Sequence, residues 1–369
     1  MPQTRPLAEV GVSYVMPVLN EERYVQSAVE SILSQDYPGP AEVVLALGPS
    51  TDATNEIVAR MQAADPRIQS VDNPYADIPV GLNLAINRST NPIIVRVDAH
   101  TELPAGYTKR AVQTLLEKDA ANVGGVMAAV GRPGFQAAVA RAYNSRFGLG
   151  GGAYHSADEP AGPAESAFLG VMRAEVIKAV GLYDVTLRRG EDWELNHRII
   201  EAGHLVWMDP QLQVSYWPRS TPSALWRQMY ATGIWRGELV RRLHLKNSPR
   251  YFAPPALVAA TVLAAVIGPL ALAQVATGVL GLILVAIALI SALGPAAYLG
   301  ALTGIAIVTP GSLRDRLRFC LVLATMHYAW GAGFLKGTAL GARDAVDTSR
   351  VDTGSADSES QDGSSQPSA

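Results

Sequence analysis

Short apolar runs alternate with amphipathic segments along the first hundred residues of the chain. Four runs have the length and composition of buried β-strands, at residues 12–16, 42–47, 68–71 and 93–97. After the first run, Val25, Val29 and Ile32 recur at the spacing of one helical face, and helical segments also follow the second and third runs. This alternation predicts an α/β fold, with a mostly parallel sheet that helices cover on both faces.

A different pattern begins at Tyr251. Residues 251–313 contain no Asp, Glu, Lys or Arg, and about 20 apolar residues suffice to span a bilayer. We therefore predict membrane-spanning helices at 254–273 and 278–305, with the Gly294–Pro295 pair as a potential break in the second. A third apolar stretch at 317–336 is close to the lower length limit, and a helix lying in the membrane interface is its alternative.

Basic residues flank the uncharged segment on both sides. They are Arg236, Arg241, Arg242, Lys246 and Arg250 before it, and Arg314, Arg316 and Arg318 after it. The positive-inside rule places both flanks in the cytoplasm, which requires an even number of crossings between them. Because the first residues lack the apolar core of a signal peptide, we expect a multi-pass protein of the cell (inner) membrane with a cytoplasmic N-terminal domain.

The expected organisation has four parts: a soluble domain at 1–235, a basic and aromatic linker at 236–253, a membrane block at 254–337, and a tail at 338–369. The tail is rich in Asp, Ser and Gly, a composition typical of disorder. The net charge of −3 gives no indication of a nucleic-acid partner. The single cysteine, Cys320, excludes disulfides and zinc–cysteine sites within the chain.

Candidate chemistry collects where the predicted strands end, which is where ligands bind in such sheets. Asp98 and His100 follow the fourth strand, beside the loops 17–22 and 48–54 that follow the first two. Two ligands two residues apart can hold one divalent ion, which can bridge a diphosphate. The carboxylate suits Mg²⁺ or Mn²⁺, and the imidazole favours Mn²⁺. The alternative is that Asp98 caps the helix that begins near Pro104 and His100 is a surface residue.

A second acidic pair, Glu191 and Asp192, precedes an amphipathic helix. An ionised Asp aimed at an acceptor hydroxyl is a candidate general base, and the alternative is stabilisation of the helix N-terminus. The same alternative of helix capping applies to Asn20, Glu21 and Asp52 in the two rim loops. The glycine-rich run at 147–155 is either a lid or a passive linker.

Six motifs occur in a fixed order: VMPVLNEE, STDAT, VRVDAH, ESAFLGVMR, GEDWELNHRI and WRQ followed by WRG. Their order resembles the family 2 glycosyltransferases of the GT-A fold, a Rossmann-like architecture, over residues 11–240. The DAH variant, the ED-x-ELN-x-R motif and the C-terminal membrane block look most like the ExoA-like branch. That branch is linked to exopolysaccharide assembly of the succinoglycan type.

The resemblance implies roles for individual residues. Asp98 and His100 would hold a divalent metal on the diphosphate of a nucleotide-sugar, and Asp192, with Glu191 second, would be the base of an inverting transfer. Arg96 would support the site from its strand. The remaining nucleotide-site residues would be Pro17, Asn20, Glu21 and Asp52. The stretch 217–237 is aromatic and basic, so Gln228, Trp235 and Arg236 are expected at the acceptor or membrane interface.

Two departures from the family pattern shape the expected function. Leu47 stands where an acid at the end of strand two commonly contacts the nucleotide, and Gln228 is not followed by the Arg-Trp pair of processive synthases. We therefore expect transfer of a single sugar, from a UDP-sugar to a lipid-linked or cell-envelope saccharide. The alternatives are a polyprenyl-phosphate glycosyltransferase and a catalytically silent scaffold of an exopolysaccharide complex.

Overall fold

The computed structural model describes residues 6–149, 160–243, 249–274 and 278–342. Its strands are β1 (Val12–Val18), β2 (Ala41–Leu47), β3 (Ile68–Asp72), β4 (Ile93–Arg96), β5 (Asn122–Ala129), β6 (Gly162–Pro163), β7 (Phe168–Arg173) and β8 (Val206–Tyr216). Its α-helices are α1 (Val25–Leu33), α2 (Thr54–Ala64), α3 (Ile78–Arg88), α4 (Tyr107–Glu117), α5 (Phe135–Tyr143), α6 (Ala174–Ala179), α7 (Glu191–Glu201), α8 (Pro222–Leu243), α9 (Ala253–Gln274), α10 (Val279–Val308) and α11 (Leu313–Leu340). The chain divides into two compact units, of which the first comprises residues 1–130 and 143–217.

The first unit is built on one eight-stranded sheet with the order β3-β2-β1-β4-β7-β5-β8-β6. Strands β1 to β4 are parallel to one another, as the alternating pattern predicts. Strand β7 lies between β4 and β5 and is antiparallel to both, so the sheet is mixed. The predicted α/β class is therefore confirmed, with an antiparallel insertion that the sequence pattern does not contain.

Helices cover both faces of this sheet, and each face has its own apolar core. On one face α1 and α4 bury Val29, Ile32 and Leu115 against β1 and β2. On the other face the cluster includes Leu82 and Ile86 of α3 together with residues of α6 and α7. Burial on both faces explains why the parallel strands read as continuous apolar runs.

Strand β1 extends beyond its predicted end at Met16, because Pro17 does not terminate it. Pro17 and Val18 continue the register with β2, opposite Ala46 and Leu47. Proline lacks a backbone N–H, and alternate residues of β1 direct their backbone groups toward β4. Val15 is the last residue of β1 that pairs with β4. Pro17 therefore lies beyond the last hydrogen-bonded pair of these two strands, where a backbone N–H is not required.

The second unit comprises residues 131–142 and 218 onward, and its helices α8 and α11 lie unusually close together. A Cβ added at Gly233 would be 2.1 Å from the carbonyl oxygen of Trp330, and one at Gly337 would be 1.9 Å from that of Ile234. Only glycine allows the two backbones to approach this closely. Hydrogen bonds between Tyr298 and His327 (2.8 Å) and between Thr261 and Tyr328 (3.1 Å) join α10 and α9 to α11.

Two of the described helices are long and apolar enough to cross a membrane, Ala253–Ala271 and Val279–Val308, with mean hydropathies of 1.9 and 2.5. The Gly294–Pro295 pair does not break the second helix, which continues through it to Val308. The third predicted segment lies inside α11, whose first turns carry charged residues. Whether these helices cross a bilayer stays a prediction from length and composition.

Two predicted boundaries, at residues 235 and 337, fall inside described helices. Helix α8 continues to Leu243, into the segment expected as a linker, and α11 continues to Leu340, into the segment expected as the tail. Residues 244–248 and 343–369 lie outside the described residues, as do residues 150–159 of the glycine-rich run. The expectations of a lid and of a disordered tail therefore stay predictions.

Candidate active site

The site is organised by Arg96, the last residue of β4. This arginine ends an apolar strand and is only 6% exposed. A buried guanidinium requires anionic partners, because the desolvation of an isolated charge is very costly. The arginine within the run IIVRV is therefore itself a signal of an acidic cluster at this edge of the sheet.

Three carboxylates face this guanidinium. Arg96 forms an ion pair with Asp192, lies 3.3 Å from Glu191 Oε1, and lies 3.4 Å from Asp98 Oδ1. The structure thus brings together Asp98 from the end of β4 and the acidic pair from α7, which are about ninety residues apart in sequence. When all three acids are ionised the cluster carries a surplus of two negative charges, which favours the arrival of a cation.

Glu191 and Asp192 lie in the first turn of α7. The N-cap of this helix is Gly190, with φ of 76°, and it makes no side-chain capping bond. The two acids benefit from the helix dipole, but their side chains turn to Arg96 instead of capping the helix. The geometry therefore fits the proposed chemical role of the pair better than the capping alternative.

The pKa values of the two acids reflect burial and mutual repulsion. Burial first, and then the Asp192 carboxylate, raise the pKa of Glu191 to about 7 against the opposing effect of Arg96. Burial also raises the pKa of Asp192, whereas Arg96 and a hydrogen bond from Tyr183 lower it. Because the Asp192 side chain is 32% exposed and that of Glu191 only 12%, Asp192 is the member of the pair that ionises first.

Asp98 and His100 follow β4 but have different partners. The Asp98 carboxylate turns to Arg96, and His100 Nδ1 lies 3.3 Å from Glu21 Oε1. Asp98 does not cap the following helix, since the N-cap of α4 is Gly106. Among the residues that the structure describes, no group of three or more His, Cys, Asp or Glu side chains is arranged as a metal site.

The donor chemistry at this strand end nevertheless fits a divalent cation. The Asp98 side chain is 26% exposed and that of His100 is 28% exposed, so both can be reached from solvent. An oxygen and a nitrogen donor beside a cluster with surplus negative charge suit Mn²⁺ or a similar ion. Asp98 and His100 are therefore the residues that would hold such an ion.

Hydrogen bonds join the rim loops after β1 and β2. Asn20 Oδ1 accepts from the backbone N–H of Thr51 at 2.8 Å, and the Glu21 N–H donates to Thr54 Oγ1 at 2.8 Å. Asp52 Oδ1 accepts from the Thr54 N–H at 3.1 Å, whereas the N-cap residue of α2 is Ala53. Asn20 adopts a left-handed conformation with φ of 54°, which asparagine tolerates. Pro17, at the end of β1, leads into this cross-linked rim.

The three residues expected at the acceptor or membrane interface lie on α8, in the second unit. Gln228, Trp235 and Arg236 are 8%, 3% and 9% exposed. The Arg236 guanidinium lies 3.8 Å from the centroid of the Tyr251 ring. Their burial is typical of packing positions, and their role toward an acceptor stays a prediction.

Sequence reasoning did not identify Tyr183, which contacts both Arg96 and Asp192. It also missed Asn83 and Arg198, which hold the backbone around Tyr183. Arg198 lies in the GEDWELNHRI motif, but no local pattern gives its role or marks Tyr183 and Asn83, because these roles depend on contacts between α3, α7 and the segment before α7. The adjacent Gly181 and Leu182 both have positive φ, and a tight turn at glycine is the one signal the sequence offers.

Comparison with known proteins identifies the family of the chain. The sequence profile "Glycosyl transferase family 2" matches residues 13–181. The chain is 33% identical over 324 residues to the succinoglycan biosynthesis protein ExoA of Rhizobium meliloti, covering 87% of this chain and 92% of that protein. The chain therefore belongs to glycosyltransferase family 2, and it is a glycosyltransferase related to proteins of exopolysaccharide biosynthesis.

Two more distant relatives are informative. A dolichyl N-acetyl-α-D-glucosaminyl phosphate 3-β-D-2,3-diacetamido-2,3-dideoxy-β-D-glucuronosyltransferase of Methanococcus voltae is 24% identical, over 63% of this chain and 74% of that protein. The mannosyltransferase PcManGT of Pyrobaculum calidifontis, solved with GDP-Man and Mn²⁺, superposes with a TM-score of 0.54 at 19% identity, covering 88% of this chain and 86% of the other. The second likeness confirms the GT-A-type fold.

Proposed function

We propose that this glycosyltransferase is an inverting enzyme that transfers one sugar from a nucleotide-sugar, a UDP-sugar in the first instance, to a lipid-linked saccharide. One observation carries the proposal: Asp192 sits at the start of α7 in an ion pair with Arg96, beside Asp98 at the end of β4. Direct displacement at an anomeric carbon requires a base near the acceptor hydroxyl and a group near the donor diphosphate. Asp192 and Asp98 are proposed for these two positions.

The chemistry follows from the state of Asp192. Its carboxylate takes the proton of the acceptor hydroxyl while the hydroxyl oxygen bonds to the anomeric carbon. The bond from that carbon to the diphosphate oxygen breaks with its electron pair, so the configuration inverts and the nucleoside diphosphate leaves. The Arg96 guanidinium keeps the Asp192 side chain in place and favours its ionised form. The more buried Glu191, whose pKa is raised to about 7, is the member of the pair that holds a proton more readily.

A divalent cation is part of the proposal. Held by Asp98 and His100, it would supply charge neutralisation at the leaving diphosphate. The surplus negative charge around Arg96 supports this assignment, because a cation would relieve the repulsion among the three acids. Asn20, Glu21 and Asp52 are proposed to shape the nucleotide side of the site through the cross-linked rim loops, with Pro17 below them.

The acceptor is proposed from the second unit and from the relatives. Two helices that can cross a membrane would hold the enzyme at the inner membrane, where a lipid-linked saccharide is available. The Rhizobium meliloti relative is named for succinoglycan biosynthesis, and the Methanococcus voltae relative for a dolichyl-linked sugar phosphate. The second name supports a lipid-linked saccharide as the acceptor class, and the first supports exopolysaccharide assembly as the setting.

The test is nucleotide release in purified membranes supplied with Mn²⁺ and a panel of UDP-, GDP- and dTDP-sugars. We expect one donor to be consumed, and we expect Asp98→Ala or a chelator to lower the rate at least about 100-fold. Asp65→Ala is the matched control, because Asp65 forms an exposed ion pair with Arg67 before β3. Release that persists in Asp98→Ala or in chelator would contradict the metal assignment. Transfer to bare polyprenyl phosphate alone would contradict the acceptor assignment.

A further inference from the structure

The segment between α6 and α7 has an unusual backbone. Gly181 has φ of 93°, and the next residue, Leu182, has φ of 62°. For a residue with a bulky side chain the left-handed conformation costs roughly 1–2 kcal/mol. Such a conformation persists only where the surrounding structure stabilises it. The contacts of this turn therefore indicate which neighbouring residues depend on its conformation.

Arg198 of α7 holds the turn from one side. Its guanidinium donates to the carbonyl oxygens of Val180 and Leu182, the latter at 2.6 Å. The same side chain is anchored by two 2.6 Å hydrogen bonds to Glu194, one helical turn earlier and only 5% exposed. The turn is therefore fixed to the helix that carries Asp192.

Asn83 of α3 holds the next residue, Tyr183, from the other side. The Asn83 amide donates to the carbonyl oxygen of Tyr183 at 2.8 Å, and the Tyr183 N–H donates back to Asn83 Oδ1 at 2.9 Å. Both backbone groups of Tyr183 are thus bound by one side chain one hundred residues away in sequence. Paired bonds of this kind fix the direction as well as the position of the residue they bind.

The side chain of Tyr183 points into the acidic cluster. The residue is 3% exposed, and the Arg96 guanidinium lies 5.9 Å from its ring centroid. Its phenol lies beside the Asp192 carboxylate and helps to lower the pKa of that acid. Burial first, and then the Asp192 carboxylate, raise the pKa of the phenol well above its ordinary value, so it stays protonated and can donate to the carboxylate.

We propose that Tyr183 is a positioning residue that fixes the Asp192 carboxylate together with Arg96, and that Asn83 and Arg198 set the position of Tyr183. This inference rests on the proposed function, in which Asp192 is the base. With a guanidinium paired to the carboxylate and a protonated phenol beside it, its rotation is restrained and its exposed part is directed to an incoming hydroxyl. Preorganisation of this kind accelerates the chemical step and leaves donor binding unchanged.

The first experiment compares Tyr183→Phe with the wild type in the nucleotide-release assay. The substitution keeps the ring and its packing and removes only the hydroxyl. The loss of a hydroxyl that can donate to a charged carboxylate predicts a fall in kcat of about 10- to 100-fold, with the KM for the donor within about twofold. Tyr14→Phe is the matched control, since Tyr14 is 1% exposed and its hydroxyl bonds to Thr108 at 2.8 Å. We expect its kcat to be unchanged.

A double-mutant cycle separates positioning from a general structural role. If Tyr183 acts through Asp192, then adding Tyr183→Phe to Asp192→Asn causes no further loss of the residual rate. A structural defect would lower both backgrounds by the same factor. Asn83→Ala should reproduce the kcat effect of Tyr183→Phe, and the two substitutions together should lose less than the product of their separate effects.

The outcomes distinguish this inference from the function on which it rests. A wild-type enzyme that turns over no donor overturns the proposed function. An active wild type in which Tyr183→Phe keeps full kcat, or loses equally in both backgrounds of the cycle, overturns only the positioning role. A loss confined to kcat and absent in the Asp192→Asn background supports it.

Discussion

Two buried charged clusters lie at opposite ends of the same strands and are built on different principles. At the amino end, Glu42 of β2 is 8% exposed and is bound by neutral donors. Its Oε1 accepts from Ser13 Oγ at 2.6 Å and from the Thr90 N–H at 2.7 Å, and its Oε2 accepts from Gln69 at 3.2 Å. At the carboxyl end, Arg96 faces Asp98, Glu191 and Asp192 and cannot balance their charge.

On the proposed function, the difference separates a structural cluster from a functional one. Burial raises the pKa of Glu42, but the bonds from Ser13, Thr90 and Asn91 outweigh it, so the net pKa is lowered and the carboxylate is stable as an anion. At the other end the pKa of Glu191 rises to about 7, because a buried carboxylate beside a second one resists ionisation. A satisfied charge ties strands together, whereas an unbalanced cluster is prepared for a cation and for proton transfer.

The largest expected effect comes from Arg96→Met. Removing the guanidinium leaves three acids without a counter-charge, which we expect to cost about 3–5 kcal/mol of unfolding free energy and to abolish sugar transfer. Urea unfolding of the detergent-solubilised chain and the nucleotide-release assay measure the two losses.

Arg110→Met provides the control for that substitution. Arg110 pairs with Asp209, whose side chain is 4% exposed, at 2.8 Å. Its replacement also strips a buried acid of its partner, so stability should fall while transfer per folded molecule is retained. Full activity in Arg96→Met would contradict the assignment of the functional cluster.

A smaller effect is expected from Glu42→Gln. This substitution should lower the stability of the protein and leave its catalytic activity unchanged. The new amide would present N–H groups to donors that now bind a carboxylate oxygen, which should cost about 1–3 kcal/mol of unfolding free energy. The kcat and KM of the folded enzyme should not change, because Glu42 lies at the far end of the strands from Asp98. A substantial loss of kcat with intact folding would mean that the two clusters are not independent.

The smallest effect is a difference in the pH dependence of stability in metal-free buffer. The folded pKa of Glu42 is lowered, so its contribution to stability is present above its unfolded pKa and is lost as the pH falls through the folded value. The folded pKa of Glu191 is raised to about 7, so its contribution is lost as the pH rises through that value.

Glu191→Gln should therefore be more stable than the wild type at about pH 8, with an advantage that shrinks toward about pH 5. Glu42→Gln should be less stable at both values, with a deficit that shrinks only below about pH 4. Urea midpoints across this range measure both differences. If the stability differences of the two variants from the wild type changed with pH in the same direction, the contrast between the two clusters would be contradicted.

The sequence pattern predicts the parallel half of the fold well. Buried parallel strands read as apolar runs and their helices as amphipathic segments, so β1 to β4 and α1 to α3 follow from periodicity alone. Strand β7 does not, because periodicity carries no information about which strand pairs with which. The predicted end of β1 at Met16 is also two residues short, since the effect of Pro17 depends on where β4 ends.

For the site, local sequence identifies candidates but not their partners. Asp98 and the pair Glu191 and Asp192 stand out because acids follow an apolar strand or precede a helix. Their convergence on Arg96 is a property of the sheet order. The contact between His100 and Glu21, and the hold of Asn83 on Tyr183, join segments far apart in sequence. Such contacts require the three-dimensional fold.

The most direct test of the central claim is the turnover of Asp192→Asn, measured together with its unfolding midpoint. The substitution keeps the size of the side chain and removes its ability to take a proton. We predict a fall in kcat of about 100- to 10,000-fold, with unchanged donor binding and a stability equal to or above that of the wild type, since one of three crowded charges is gone. Full transfer activity in a folded Asp192→Asn enzyme would contradict the account, because Asp192 would then not be the base.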